Sequence, residues 1–356
     1  MSKVWDLIIV GAGPIGCKVG ELLGKDYDVL IIDRKKEIGK PVQCSGFNSE
    51  RIFELSGVSK KVILNKVIKS DFFSPSGTKI TLKSKIPFYV FDRELFDKEI
   101  AKKTEKNNVE IRMKTDFKSL EKRKEYLEIK TNHGKIKSKL LVGADGPGST
   151  VSRVTELPQP DNLLIGYQKT IKYSYNPTSS ELWFGDKVCP GFFAWVVPEN
   201  DEWARVAVAT YREPVKYFDK FVKKRIGKNY KSKDDVSGLI RFGLIKKSVD
   251  DRILLVGDAA SQVKPFSGGG LIYGLMSARI AAEACDKSLN EGRYDYEFLK
   301  ENYGDEWKKM LRWPILKGLG IRRFFDNCPD WILNLGFGLG KHLTPIFEGL
   351  IDEDLL

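Results

Sequence analysis

The segment VWDLIIVGAGPIGCKVGELLGKDYDVLIID covers residues 4–33 of this 356-residue chain. Its apolar run Leu7–Val10 predicts a buried strand, and Gly11-Ala12-Gly13-Pro14-Ile15-Gly16 predicts a tight turn that leads into a helix. The second apolar run, Val29–Ile32, predicts another strand, which ends at Asp33. A strand, GxGxxG, a helix and a strand that ends in an acidic residue form the dinucleotide-binding fingerprint in its full context. The segment therefore predicts a parallel α/β sheet that binds a dinucleotide.

The residues of this turn have separate predicted roles. Gly11 permits the tight turn, Gly13 lets the backbone approach a pyrophosphate, and Gly16 allows the helix to pack closely on the strand. Asp33 can accept hydrogen bonds from ribose hydroxyls. The alternative is an ordinary strand–turn–helix connection without a ligand, and the complete fingerprint makes that alternative the less favoured one.

A second glycine-rich segment, VDDRILLVGDAASQVKPFSGGGLIYGLMSARIAAEA, covers residues 249–284. It predicts a strand at Ile253–Val256, a turn containing Asp258, three glycines at 268–270 and a helix that begins at about Leu271. The carboxylate can accept from sugar hydroxyls, while free N–H groups at the helix start favour an anion. Alone, GDAA is better explained as a strand end with a helix cap. Combined with residues 4–33, it predicts a pocket for hydroxyl and phosphate groups.

A third predicted strand, residues 139–143, ends in the turn Asp145-Gly146. Three buried strands thus end in turns rich in Gly and Asp. In a parallel sheet such turns share the edge at which ligands bind. Residues 35–46 contain Gly39 and Pro41, which predict a loop across the same crevice.

The rest of the chain changes character twice. Residues 156–245 are rich in aromatic side chains and alternate in polarity, which predicts an antiparallel sheet that encloses a substrate space. From Tyr296 onward the pattern is helical and amphipathic. The predicted fold class is α/β: a Rossmann-like domain, a mainly antiparallel sheet domain and a C-terminal helical segment. The predicted boundaries are 1–66, 87–155 and 246–290 for the first domain, 67–86 and 156–245 for the second, and 291–356 for the helical segment.

The net charge of +12 makes anionic partners plausible. No recognised nucleic-acid motif accompanies that charge, so nucleic acid is not expected as a partner. Trp interleaved with Lys and Arg after Tyr296 favours a membrane interface, and a helix that only covers the substrate domain is an equal alternative. No run reaches about 18 apolar residues, so no membrane span is expected.

The five cysteines are scattered without a CxxC pair, and the two histidines stand far apart. A metal site or a disulfide framework is therefore not expected. Reduced cysteines are consistent with a cytoplasmic protein. The chain contains no second GxGxxG, so a separate NAD(P)H-binding domain is not expected either.

Taken together, the motifs resemble those of FAD-dependent hydroxylase-type reductases, and within that group the geranylgeranyl reductase family. The matching motifs are GAGPIG with Asp33, Arg93 at a helix start, GADGPGS, and GDAA followed by PFSGGGL. Two further stretches carry the narrower resemblance. EIGKPVQCSGF resembles the family's loop, which usually contains a Cys-Gly-Glu-Gly run, and GFFAWVVPENDEWARVAVAT resembles its substrate-domain signature.

The resemblance implies a set of FAD contacts. The implied contacts are Gly16, Asp33, Cys44, Ser45, Arg93, Asp258, Gly270 and Leu271. The fingerprint adds Gly11 and Gly13 to the predicted cofactor-binding residues. The implied activity is saturation of isoprenoid double bonds of a membrane lipid or its precursor, with hydride from N5 of reduced FAD. NAD(P)H or ferredoxin would supply the electrons, and the protein would associate peripherally with a membrane. The same scaffold serves flavin-dependent monooxygenases and flavoprotein electron carriers, which are the alternative functions.

Cys44 is the predicted proton donor. His133 is predicted to lie in a turn and His342 near the C-terminus, whereas a thiol is mostly protonated near neutral pH and can donate. Cys44 lies in the loop predicted to cross the cofactor crevice. One alternative is a small thiol that only packs against the flavin. The other is a thiolate, stabilised by a helix start or by Arg93, which would be a poorer donor.

Overall fold

A computed structural model of the chain describes residues 3–340 as two sheets with helices packed on them. The first nine strands are β1 (Val4–Val10), β2 (Val29–Ile32), β3 (Phe47–Ser49), β4 (Ile63–Phe73), β5 (Lys79–Phe91), β6 (Glu110–Arg112), β7 (Phe117–Lys122), β8 (Leu127–Thr131) and β9 (Gly134–Gly143). The remaining strands are β10 (Leu163–Lys172), β11 (Ser179–Trp183), β12 (Ala194–Pro198), β13 (Trp203–Thr210), β14 (Lys231–Arg241), β15 (Val249–Asp250) and β16 (Ile253–Leu255). The helices are α1 (Pro14–Leu23), α2 (Arg51–Ser56), α3 (Arg93–Lys106), α4 (Thr150–Val154), α5 (Pro214–Arg225), α6 (Leu271–Glu291), α7 (Tyr296–Leu299), α8 (Asp305–Asn327) and α9 (Asp330–Gly340).

The first sheet has the order β15-β16-β9-β1-β2-β6, and the β7–β8 hairpin extends it from β9. Strands β16, β9, β1, β2 and β6 run parallel. Val10 lies beside Gly143, which lies beside Leu255, so the turns after β1, β9 and β16 open at one edge. This arrangement confirms the prediction made from the three Gly/Asp turns. Apolar side chains of these strands form the buried core on which α1 and α6 pack.

The turn after β1 depends on glycine at two positions. Gly11 has a φ of +112°, and a Cβ there would lie 2.4 Å from the carbonyl oxygen of Ala144. A Cβ on Gly16 would lie 2.0 Å from the carbonyl oxygen of Gly11. Backbone atoms surround both positions, so a larger residue would have to displace the turn itself.

The second sheet has the order β14-β10-β13-β12-β11-β4-β5-β3 and is antiparallel except between β4 and β11. The antiparallel sheet predicted within residues 156–245 is thus present. Strands β4 and β5 span residues 63–91 and exceed the predicted 67–86, because the hairpin continues on both sides of its turn at residues 74–78. Helix α5, which the sequence patterns did not predict, packs on the face of this sheet that points away from the first domain.

The C-terminal helices are amphipathic, as predicted. One face of α8 is buried through Trp307, Leu311, Ile315 and Arg322, so this helix does pack on the body of the protein. Its other face exposes large apolar side chains, among them Trp313 at 75%. Within residues 3–340, no helix is both long enough and apolar enough to cross a bilayer. Residues 341–356, which contain His342 and the end of the predicted helical segment, lie outside the described residues.

Candidate active site

A cavity of about 400 Å³ lies between the glycine-rich edge of the first sheet and the facing side of the second. The first sheet contributes the turns after β1, β9 and β16, and the second contributes mainly apolar side chains. Lining residues from the second sheet include Phe88, Gln168, Leu182, Trp195, Val197 and Leu239. The volume is within the range usual for small-molecule sites.

Gly13 opens this cavity at the start of α1. It is the N-cap of the helix, no side chain caps the helix, and a Cβ added at Gly13 would meet nothing within 4 Å. The first N–H groups of a helix lack intrahelical partners and carry partial positive charge, which favours an anion such as a pyrophosphate. Gly11 and Gly16 do not line the cavity, and their role in the structure is to shape the turn behind Gly13.

Asp33 follows β2 and fastens the same turn. Its Oδ2 accepts the Ala12 N–H at 2.8 Å and its Oδ1 accepts the Lys35 N–H at 2.8 Å. Asp33 is not among the residues that line the cavity. Each carboxylate oxygen has a further lone pair, so the side chain can still accept a hydrogen bond from a ribose hydroxyl.

Asp145, in contrast, turns away from the cavity. Its carboxylate accepts from Ser149 Oγ at 2.6 Å and from the N–H groups of Thr150 and Val151. It therefore fixes the start of α4. The β9 turn contributes Ala144, Gly146 and Pro147 to the cavity wall instead.

Asp258 lies directly after β16 and lines the cavity beside Gly270. Burial raises the pKa of this carboxyl to about 6, and the positive charge of Arg93 partly opposes the rise. Helix α6 begins at Leu271 without a side-chain cap, so its first N–H groups face the same space. Ser267 Oγ, also in the cavity lining, is buried and has no hydrogen-bond partner among the described residues. Among the described residues, the Asp258 carboxylate, the first N–H groups of α6 and Ser267 Oγ can therefore each bond a ligand in the cavity.

Arg93 is held in place at the start of α3. Asp92 caps this helix by accepting the Leu95 N–H at 3.0 Å. The guanidinium lines the cavity, is only 12% exposed, and bonds both carboxylate oxygens of Asp97 at 2.9 and 3.0 Å. Arg93 is therefore a largely buried, paired cation at the cavity and not a solvated surface charge. Asp97 was missed by sequence reasoning, although its position one helical turn after Arg93 is a detectable signal.

Cys44 lies in the loop between β2 and β3 and lines the cavity. Of the five cysteines it alone is not buried. Its sulfur accepts the Gly46 N–H at 3.3 Å and interacts with the Arg93 guanidinium. Because Asp97 balances the charge of Arg93, Cys44 does not face an unpaired cation. His133 lies in the turn between β8 and β9, as predicted.

Ser45, the next residue, is bonded to the second sheet. Its hydroxyl accepts the Trp195 Nε1–H at 2.8 Å and donates to Gln168 Oε1 at 2.6 Å, and its carbonyl accepts from Arg205 Nη1 at 2.5 Å. No local sequence pattern reveals these partners, which stand more than 120 residues away. Two glycine-rich helix starts, a buried carboxylate and a partnerless hydroxyl thus face one cavity, a donor set that fits a dinucleotide with both phosphate and hydroxyl groups.

The sequence profile of the FAD binding domain family matches residues 5–294. The chain belongs to this family. FAD is therefore its cofactor, and the protein is an FAD-dependent oxidoreductase, as the family resemblance implied. The structure agrees, since the helix starts at Gly13 and Gly270 can hold an anion and the Asp258 carboxylate can hold hydroxyls of FAD.

The alignments with similar proteins cover nearly the whole of this flavoprotein chain. It is 31% identical to a digeranylgeranylglycerophospholipid reductase of Methanococcus vannielii, over 94% of this chain and 90% of that one. A protein of the same name from Methanosarcina acetivorans is 29% identical over 100% and 93% of the two chains. A geranylgeranyl bacteriochlorophyll reductase-like structure from Thermoplasma acidophilum superposes with a TM-score of 0.88 at 22% identity, covering 98% and 92%. The last comparison confirms the predicted fold class.

Proposed function

We propose that this flavoprotein saturates isoprenoid double bonds of a membrane lipid or a lipid precursor. The relatives from Methanococcus vannielii and Methanosarcina acetivorans are named for such a reaction on digeranylgeranylglycerophospholipids. Saturating one double bond adds a hydride to one carbon and a proton to the other. Bound in its reduced form, FAD supplies the hydride, and the chain must position the alkene, exclude water and deliver the proton.

The observation that carries this proposal is the two-sided lining of the cavity. One side presents the polar groups that fit FAD, while the other presents Phe88, Leu182, Trp195 and Val197. An apolar wall facing the cofactor suits a hydrocarbon chain, because burial of apolar surface stabilises such a substrate by about 25 cal/mol per Å². An electron carrier has no need for a walled cavity of this kind, so the cavity also favours an enzyme over that alternative.

Cys44 is the group we assign to proton delivery. Both of its contacts, from the Gly46 N–H and from Arg93, use the sulfur as an acceptor. In the thiol form, the S–H is used in neither contact and can be donated toward the cavity that Cys44 lines. Arg93 and Asp97 line the same cavity, so the thiol and this ion pair adjoin the space that the substrate would occupy.

Peripheral association with a membrane is part of the same proposal. Helices α8 and α9 expose large apolar side chains on the side away from the protein body. These side chains, here called the α8–α9 apolar surface, are Trp313, Phe324, Trp331, Leu335 and Leu339, and each is 57–75% exposed. Exposed basic residues accompany them on α8, namely Lys309, Arg312, Lys317 and Arg323. Apolar and basic side chains on one surface favour an anionic lipid interface.

The experiment that tests the activity uses the purified protein with FAD. The protein is reduced anaerobically with dithionite, so that the result does not depend on the natural electron donor. It is then mixed with vesicles that contain digeranylgeranylglycerophospholipid, and the lipids are analysed by mass spectrometry. We expect each reduced double bond to add two hydrogen atoms to the lipid.

Two outcomes would contradict this function. If the lipid mass does not change while FAD remains bound and reduced, the lipid is not the substrate. If the protein instead transfers an oxygen atom to the lipid once air is admitted, it is a monooxygenase. A rapid reaction of the reduced flavin with oxygen would favour the same conclusion.

A further inference from the structure

The hydroxyl of Ser45 joins the cofactor-side loop to the substrate-side sheet. It accepts from Trp195 on β12 and donates to Gln168 on β10, so both of its hydrogen-bonding directions are used. We propose that Ser45 is a positioning residue, which holds the neighbouring Cys44 at a fixed place in the cavity for proton delivery. This inference rests on the proposed function of Cys44, but its test does not require lipid reduction.

The register of the second sheet places the two side-chain partners of Ser45 in one row. Gln168 pairs with Ala207 on β13, and Ala207 pairs with Trp195 on β12. The middle member of the row is thus the smallest of the three, which leaves room for a serine hydroxyl between the longer side chains. Three adjacent strands therefore define the position of one side chain, and strands of a hydrogen-bonded sheet are rigid supports.

A buried guanidinium holds the backbone of the same loop. Arg205 stands next to this row on β13 and is 8% exposed. Its Nη1 bonds the carbonyl oxygens of Ser45 at 2.5 Å and of Phe91 at 3.0 Å, and its Nε bonds Glu199 at 2.8 Å. Since Phe91 ends β5 just before Arg93, this contact ties Ser45 to the strand that delivers Arg93. The two groups that contact the Cys44 sulfur are the Gly46 N–H and Arg93, which follow Ser45 and Phe91 closely in the chain. Both are therefore held close to the second sheet.

The hydrogen bonds of Ser45 restrict where Cys44 can lie, which packing alone would not do. Cys44 itself has no hydrogen bond from the second sheet among those of the described residues. Its position relative to the apolar wall therefore depends on its two neighbours in the chain. Gln43 bonds the Ser237 carbonyl on β14 through Nε2 at 3.0 Å, and Ser45 makes the two part-buried side-chain bonds to β10 and β12. Loss of a well-oriented hydrogen bond typically changes an equilibrium by about 1 kcal/mol, or about fivefold. The population of loop conformations that expose Cys44 should rise by that factor for each bond removed.

The test measures how fast iodoacetamide labels Cys44 in the folded protein, without and with FAD. We expect Trp195→Phe, which removes one bond, to raise the labelling rate by about fivefold, and Ser45→Ala, which removes two, by up to about 25-fold. Because Trp195→Phe removes the same link, the double variant should label little faster than Ser45→Ala alone. With the lipid substrate, Ser45→Ala should lower kcat while KM and the flavin absorption spectrum stay near the wild-type values.

Ser70→Ala is the matched control for labelling. Ser70 also lines the cavity, but its hydroxyl bonds Ser180 on β11 and does not touch the loop. The four buried cysteines report on the whole fold and should stay unlabelled in all variants; they are Cys17, Cys189, Cys285 and Cys328. An unchanged Cys44 rate in both Ser45→Ala and Trp195→Phe would overturn the proposal, as would a rise shared by Ser70→Ala or by the buried cysteines. If labelling changes as expected while the wild-type protein fails to reduce the lipid, the proposed function is wrong and the loop contact stands.

Discussion

Oδ1 of Asp258 lies so close to Gly270 that a Cβ on residue 270 would be only 2.3 Å from it. The contact joins the carboxylate that follows β16 to the residue that precedes α6. Two of the groups predicted to hold FAD, a buried acid and a helix start, are therefore adjacent in the structure. Any residue larger than glycine at position 270 must displace one of them.

Replacing Asp258 with Asn should change stability and cofactor retention in opposite directions. Burial raises the pKa of Asp258 to about 6 in the folded protein, above the ordinary value of 3.8. The folded state therefore loses stability as pH rises from about 4 to about 6, and the full penalty remains above that range. In FAD-free protein at pH 8, Asp258→Asn should raise the free energy of unfolding by about 2 to 3 kcal/mol. The same variant should retain less FAD, because it removes an acceptor for hydroxyls.

Urea denaturation of the FAD-free protein at pH 5 and pH 8 would measure the first effect, and flavin absorbance after gel filtration the second. Glu94→Gln is a control of opposite sign, because the hydrogen bond from Lys98 lowers the pKa of Glu94. That variant should lose stability at pH 8, not gain it. If Asp258→Asn changes the free energy of unfolding equally at both pH values, burial of the ionised carboxylate does not destabilise the fold.

Gly13 and Gly16 should respond differently to alanine. A Cβ at Gly13 meets nothing within 4 Å, so Gly13→Ala should cost the FAD-free protein about 1 kcal/mol or less, mainly through the N-cap preference. FAD affinity should nevertheless fall about tenfold or more, because the methyl group occupies the space needed by a pyrophosphate. Gly16→Ala places a Cβ 2.0 Å from a backbone oxygen and should destabilise the fold by about 3 kcal/mol. Thermal unfolding and fluorescence titration with FAD would separate the two, and full FAD affinity in Gly13→Ala would contradict the assignment.

The edge of the first sheet could be predicted because its information is local. In the sequence, each of these turns is marked by a glycine or an aspartate soon after an apolar strand. Parallel pairing then brings the ends of the strands to one edge of the sheet. Gly13 and Asp258 were found in this way, and Gly270 was found from the glycines that precede the predicted helix. Helix α5 was missed because its apolar residues stand among many lysines in a region of strand-like alternation.

The far wall of the site could not be predicted because it depends on register between distant strands. The contacts of Ser45 with Gln168 and Trp195 cross 123 and 150 residues. Nothing near Ser45 in the sequence indicates which strands will face it. Arg205 is equally hidden, since a charged residue inside an apolar strand is normally taken to face solvent.

Removing apolar side chains from the α8–α9 apolar surface should weaken membrane binding. Trp313 and Trp331 are 75% and 66% exposed, so Trp313→Ser and Trp331→Ser should leave the fold intact. We expect sedimentation with anionic vesicles to decrease in each variant and to fall further as salt is raised. Each Lys or Arg near an anionic surface contributes about 1 kcal/mol, and salt screens that term.

Leu95→Ser is a matched control, because Leu95 is 52% exposed on α3, a helix that carries none of this surface. Its vesicle binding should equal that of the wild-type protein. If wild-type protein does not sediment with anionic vesicles at low salt, the exposed tryptophans serve another contact. Equal losses in Leu95→Ser and Trp313→Ser would show that binding is not localised to α8 and α9.

The last prediction concerns Cys44 as the proton donor. Cys44→Ser and Cys44→Ala should both retain FAD, since the polar groups proposed to hold the cofactor lie mainly on the first sheet. An alkene without a neighbouring carbonyl requires a proton close to the carbon that receives no hydride. Loss of a positioned acid should therefore reduce the rate of lipid saturation by about a hundredfold. Serine preserves the size of the side chain but is a far weaker acid, so it should not restore the rate.

Single-turnover reduction of the lipid by dithionite-reduced protein measures this step directly, after FAD occupancy has been matched between variants. Cys328→Ser is the control, because Cys328 is a buried thiol outside the main cavity. Wild-type rates in both Cys44 variants would mean that the thiol only packs in the loop and that water delivers the proton. A slow Cys44→Ala variant together with a fast Cys44→Ser variant would also exclude the thiol as the acid. Serine has a similar size but is a far weaker acid, so the size of the side chain would then be what matters.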